Sequence, residues 1–154
     1  MRDLTPREAE YLRLLYEESV EKTVRVTSVS MARRLHVKPP TVVDMVAHLA
    51  GKGLVNHIKR QEIILTRKGL EIASTLVRQH RIYEKYLTSI FQLPPEEACR
   101  EAAKVDHVLS SKIVEAMYVK LGCPDSCPHD KTIPAIAQNL LPKGERGEKE
   151  IGVE

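Results

Sequence analysis

The chain has 154 residues, 42% of them hydrophobic, with one Phe and no Trp. An aliphatic composition of this length suits one compact helical unit, or two small ones, rather than an aromatic-rich sandwich. No run approaches ~20 consecutive apolar residues, and the opening MRDLTPREAEYL is charged from the start and lacks an apolar core of signal-peptide type, so the expectation is a cytoplasmic protein without a spanning helix or a secretory leader.

Net charge is +3 but unevenly spread. Between residues 25 and 68 nine Lys or Arg stand against Asp44 and Glu62, a local +7, so the remainder carries −4. A basic block on an otherwise acidic chain is the footprint of a phosphate-binding surface.

Thr5-Pro6, with Glu8 three residues after the cap, predicts the start of a first helix running to about residue 21. A short extended stretch over 24–26 follows. Thr27 or Ser28 then caps a short helix to residue 35, with Val29, Ala32 and Leu35 on one face. His36-Val37-Lys38 reads as a tight turn. After Pro39, residues 40–52 carry Val42, Met45, Val46 and Leu49 at helical period, and Gly51 and Gly53 stop the helix. Two β-rich runs, 54–59 and 62–66, make a hairpin with Arg60-Gln61 at the turn. A long helix over 67–91, capped by Thr66, ends before Leu93-Pro94-Pro95. One or two helices over 95–122, a turn-rich CPDSCPH loop and a charged, disordered tail complete the chain.

Helix, short helix, tight turn, longer helix and hairpin is the winged helix-turn-helix plan, so the partner it predicts is double-stranded DNA. Lys38, Pro40, Thr41 and Asp44 lie at the start of the recognition helix, where base edges are read. Arg33, Arg34, Lys59 and Arg60, the last two at the wing tip, are placed to contact phosphates. Winged helices also serve as protein-interaction modules, but the local +7 favours DNA.

The second half presents metal-ligand chemistry. His80 and Glu84 stand one turn apart on the long helix, and Cys99, Asp106 and His107 share a face of the next, with Ala103 between them. Imidazole, carboxylate and thiolate are what first-row transition ions select. Cys123, Cys127 and His129 form a separate cluster in the loop. Its spacing suits a structural zinc site as well as it suits a plain loop with two thiols. An odd number of cysteines without export signals points to free or metal-bound thiols rather than bridges.

The runs RQHRIYEKYLTSIFQLPPEEACREAAKVDHVLS, TVVDMVAHLAGKGLV and CPHDKTIP, colinear from about residue 3 to 134, resemble the iron- and manganese-dependent repressor family. The resemblance implies a homodimeric repressor that binds palindromic operators when loaded with Fe²⁺ or Mn²⁺ and controls metal-homeostasis genes. It places a first-helix ligand on Glu10 and further ligands on His80, Glu84, Asp106 and His107. The chain carries Cys99 where many members have His, and Ala103 where members have Cys or Glu. Glu10 favours Mn²⁺ or Fe²⁺, whereas Cys99 draws the preference toward Fe²⁺, Zn²⁺ or Co²⁺.

The expected architecture is therefore mainly α: a winged helix-turn-helix over 1–68, a helical metal-binding and dimerisation domain over 69–141, and a tail over 142–154. With few residues after Pro134, the expectation is that no SH3-like third domain follows. The expected switch is a cation gripped jointly by Glu10 and the dimer scaffold, setting two recognition helices roughly 34 Å apart. The competing reading is a winged-helix repressor that answers to a small organic ligand. No nucleophile elbow, phosphate loop or HExxH motif points to an enzyme.

Overall fold

The computed structural model describes residues 4–58 and 62–136. The wing-tip residues Lys59 and Arg60 and the tail over 142–154 lie outside the described residues.

Helix α1 (Pro6–Tyr16) begins in a capping box. The Glu8 backbone N–H donates to Thr5 Oγ1 at 3.2 Å, and the Thr5 N–H donates to Glu8 Oε2 at 2.7 Å. The predicted continuation to residue 21 is a single π-helical turn, Glu17–Glu21, instead of α-helix. A second capping box, Thr27 with Ser30, opens α2 (Ser28–Leu35), and His36 in the left-handed region (φ 54°) closes it. Helix α3 (Pro39–Gly51) carries both prolines in its first turn, where no backbone donor is needed. Gly51 is helical, and the stop falls at Gly53, whose φ of +70° suits glycine.

Strands β1 (Val55–Ile58) and β2 (Glu62–Leu65) pair antiparallel, Val55 opposite Leu65. The extended segment before α2 joins them: the Ile63 N–H donates to the Val26 carbonyl at 2.9 Å. Thr66 caps the 25-residue α4 (Arg67–Phe91), about 37 Å long. Helices α5 (Pro95–Val105) and α6 (Ser111–Lys120) pack along it.

Two apolar cores share α4. The larger gathers Leu12 and Leu15 of α1, Met31 of α2, Val42, Val46 and Leu49 of α3, the hairpin residues Val55 and Ile63, and Leu76 of α4. The smaller joins Ile82 of α4 to Val114 of α6 and Ile133 of the final loop. One rigid helix thus belongs to both halves.

Candidate metal centre and nucleic-acid interface

His80 and Glu84 lie one turn apart on α4, side by side because i and i+4 share a helix face. Helix α5 crosses at that level and brings Cys99, whose Sγ lies 3.4 Å from His80 Nε2. Glu84 Oε2 is 4.0 Å from the same nitrogen. The other Glu84 oxygen, Oε1, meets His129 Nδ1 of the final loop. Cys127, buried beside it, completes a second group. Within each triad, His80–Glu84–Cys99 and Glu84–Cys127–His129, the ligand atoms lie within 4.8 Å of one another. One carboxylate thus joins two nitrogens and two sulfurs.

The loop reaches Glu84 because it is tied on several sides. It closes on itself through Cys127 N–H to the Lys131 carbonyl (2.9 Å) and Ile133 N–H to the Asp125 carbonyl (2.8 Å). Arg81 of α4, its side chain 2% exposed, donates to the Thr132 carbonyl and pairs with Glu21 at 2.5 Å. Arg78 donates to the Pro134 carbonyl at 2.7 Å, and Lys131 pairs with Glu17 at 3.0 Å. Burial pushes both the Cys99 and the Cys127 thiol up from their ordinary value, with the Glu84 charge adding to the effect. A buried carboxylate beside one buried and one half-buried thiol and two imidazoles is a donor set that fits a divalent transition ion. Such a group would be held by His80, Glu84, Cys99, Cys127 and His129. Cys123 is exposed and lies outside both triads.

Asp106, which follows α5, has a different role. Its Oδ2 accepts from His80 Nδ1 at 2.9 Å and from the Arg13 guanidinium of α1. A carboxylate cannot donate here, so His80 carries its proton on Nδ1 and turns the Nε2 lone pair toward Cys99 and Glu84. His107 is buried, and its Nδ1 lies 3.8 Å from Asp106 Oδ1; among the described residues both atoms are without a hydrogen-bond partner. Glu10 is half-exposed and pairs with Arg7 at 2.6 Å. Among the described residues Glu10, Asp106 and His107 are not brought together as one group, and the Arg13 guanidinium lies on the Asp106 carboxylate. A guanidinium and a dication about 4 Å apart repel by roughly 8 kcal/mol at an effective dielectric near 20. Nothing in the sequence pattern singled out Arg13; its only sign was a cation three residues after Glu10.

At the other end of α1, Glu8 is buried and faces α3. His48 Nε2 lies 2.8 Å and Lys52 Nζ 2.5 Å from its Oε1. Burial alone would raise the Glu8 carboxyl, but Lys52, the Thr5 backbone and hydroxyl, and His48 outweigh it and hold the group down to about 2. The outer face of α3 is open: Lys38, Pro40, Thr41, Val43, Asp44 and Ala47 are all exposed. Arg33 and Arg34 are exposed on α2, Arg34 lying 3.4 Å from Glu18. Val43 and Ala47 are additions to the sequence-derived set: they lie off the Val42–Val46–Leu49 face, and being apolar they gave no polar signal.

The family profile for the iron dependent repressor N-terminal DNA binding domain matches residues 3–63, and that for the iron dependent repressor metal binding and dimerisation domain matches residues 66–135. The chain belongs to the iron-dependent repressor family. This family member is 31% identical over 136 residues to the iron-dependent repressor IdeR of Mycobacterium leprae, covering 88% of this chain and 59% of that protein. It superposes on the manganese regulator SloR with a TM-score of 0.77 at 33% identity, covering 88% of this chain and 62% of SloR. A manganese-dependent transcriptional repressor in complex with manganese gives a TM-score of 0.74 at 28% identity, covering 83% and 58%. The chain spans about three fifths of the length of the curated relatives it matches. No described helix is long and apolar enough to cross a membrane.

Proposed function

We propose that this protein is a metal-dependent transcriptional repressor that acts in the cytoplasm as a homodimer on palindromic operator DNA, controlling metal-homeostasis genes, and is not an enzyme. The observation that carries this reading is the convergence of His80, Cys99, Cys127 and His129 on the single carboxylate of Glu84, in a chain whose α3 leaves its outer face open.

What a bound Fe²⁺ or Mn²⁺, or Zn²⁺ or Co²⁺ given the two thiols, supplies is neutralisation of Glu84 and a link between loop, α4 and α5. The side chains around the centre carry the order further. Arg81 and Lys131 connect the loop to Glu17 and Glu21 of the π-turn, which directly follows α1. Through that turn, the state of the loop bears on how the DNA-binding unit, residues 1–68, sits on α4. On α3, Lys38, Thr41 and Asp44 face the major groove and read base edges, while Arg33 and Arg34 hold phosphates.

Dimerisation uses the apolar surface left open in the second half of the chain. Ile90 and Phe91 at the end of α4, and Ile113 and Val119 of α6, are 48%, 62%, 49% and 67% exposed, and exposed large apolar side chains are what association surfaces draw on.

The test is gel retardation of palindromic promoter fragments by the full chain, titrated with Mn²⁺, Fe²⁺, Zn²⁺ and Co²⁺ against a chelator control. Retardation that requires an ion supports the reading. Equal retardation in chelator would sink the metal switch and favour the organic-ligand alternative, and no retardation with any ion would sink the repressor.

A further inference from the structure

Asp106 is the most enclosed acidic side chain beside the candidate metal centre, with no exposed side-chain surface. An uncompensated carboxylate there is costly, and a cation beside it offsets that cost. That cation is on the chain itself. Arg13 extends from α1, its side chain 11% exposed, and its guanidinium binds Asp106 Oδ2.

We infer that Arg13 is the resident cation of the Asp106–His107 pocket, so that this chain holds transition ions only at the Glu84 cluster and docks α1 onto its scaffold without a metal. The inference deepens the metal-switch reading and rests on it for the ion count alone. Three observations point the same way. Asp106 divides its Oδ2 between Arg13 and His80, so that oxygen is already satisfied. Ala103, one helical turn before His107, offers no donor atom. Glu10, the residue of α1 that would have to complete a metal set, is 41% exposed and paired with Arg7. Among the described residues the fully buried atoms without a partner there, Asp106 Oδ1 and His107 Nδ1, are too few to hold a dication by themselves against a neighbouring guanidinium.

The consequence is a fixed joint. His80 faces the Glu84 cluster with Nε2 and Asp106 with Nδ1, Asp106 holds Arg13, and α1 continues to Glu8, which grips His48 and Lys52 of α3. Arg13 is thus a positioning residue between metal centre and recognition helix.

Two measurements on the full chain decide this. Equilibrium dialysis against Mn²⁺ and Zn²⁺ gives the ion count per chain; His107→Ala is expected to leave it unchanged, while Glu84→Ala lowers it. A count that falls by one on His107→Ala overturns the inference. Thermal unfolding in chelator compares the wild type with Arg13→Met. Loss of the buried partner is expected to lower Tm by about 6–15 °C, and saturating Mn²⁺ is expected not to narrow that gap. An unchanged Tm in chelator, or a gap closed by Mn²⁺, also overturns it. If no ion binds even the wild type, the metal-switch reading fails while the Tm comparison still decides the role of Arg13.

Discussion

His80 donates from Nδ1 to Asp106 at 2.9 Å while its Nε2 looks into the Glu84 cluster, 3.4 Å from Cys99 Sγ. This is the arrangement by which an outer carboxylate fixes the tautomer and orientation of a ligating imidazole.

Asp106→Asn is therefore expected to weaken Zn²⁺ or Mn²⁺ binding by about 10–100-fold. An amide can offer its NH₂ to the ring and turn the Nε2 lone pair away. Competition with a chromophoric chelator measures the change; undiminished affinity would show that the Asp106 contact does not orient the ring.

The loop thiols should separate cleanly. Cys127→Ser and His129→Ala are expected to lower metal affinity, whereas Cys123→Ser, exposed and outside the triads, should bind like wild type. Co²⁺ reports directly, since thiolate coordination gives an intense near-ultraviolet charge-transfer band that Cys127→Ser should diminish. Loss of the band on Cys123→Ser instead would relocate the site.

Glu8 sets an acid limb of stability. Its carboxyl is lowered from 4.5 to about 2 in the folded chain. A group depressed by folding contributes fully above its unfolded value, and that contribution is lost as pH falls through the folded one. Glu8→Gln should cost about 1–3 kcal/mol at pH 7, and the gap from wild type should close between pH 4.5 and about 2. Urea denaturation across that range reads it, and a gap independent of pH would exclude the ion pair as its source.

Close packing of α4 on the hairpin depends on Gly69. A Cβ there would lie 1.8 Å from the Leu54 carbonyl oxygen, a backbone atom that also accepts from the Thr66 N–H at 3.0 Å. Gly69→Ala should destabilise the fold by at least about 2 kcal/mol, visible as a lower Tm. A variant as stable as wild type would mean that α4 shifts freely.

On the DNA side, Arg33→Ala and Arg34→Ala are each expected to weaken binding. A lost phosphate contact should flatten the log K against log salt slope by about one and leave sequence preference intact. Thr41 or Asp44 substitutions should instead change which operator bases are preferred. Affinity that ignores all four would remove α2 and α3 from the interface.

Local chemistry was legible in the order of residues. Thr5 and Thr27 cap helices because a hydroxyl three residues ahead of a free N–H satisfies it wherever the chain goes next, and the 25 residues of α4 follow from an unbroken helical period between Thr66 and Pro94. The i, i+4 spacing of His80 and Glu84 likewise placed them together before any fold was known. Partnerships between segments were not legible, because nothing local encodes them. Cys127 and His129 read as part of a separate loop cluster until the Arg81 and Arg78 anchors brought them to Glu84, 45 residues away for the His129 contact. Arg13 meets Asp106 across 93 residues. Which buried carboxylate receives a guanidinium and which is left for a metal depends on where α1, α4 and α5 cross, and only packing of the two cores fixes that crossing.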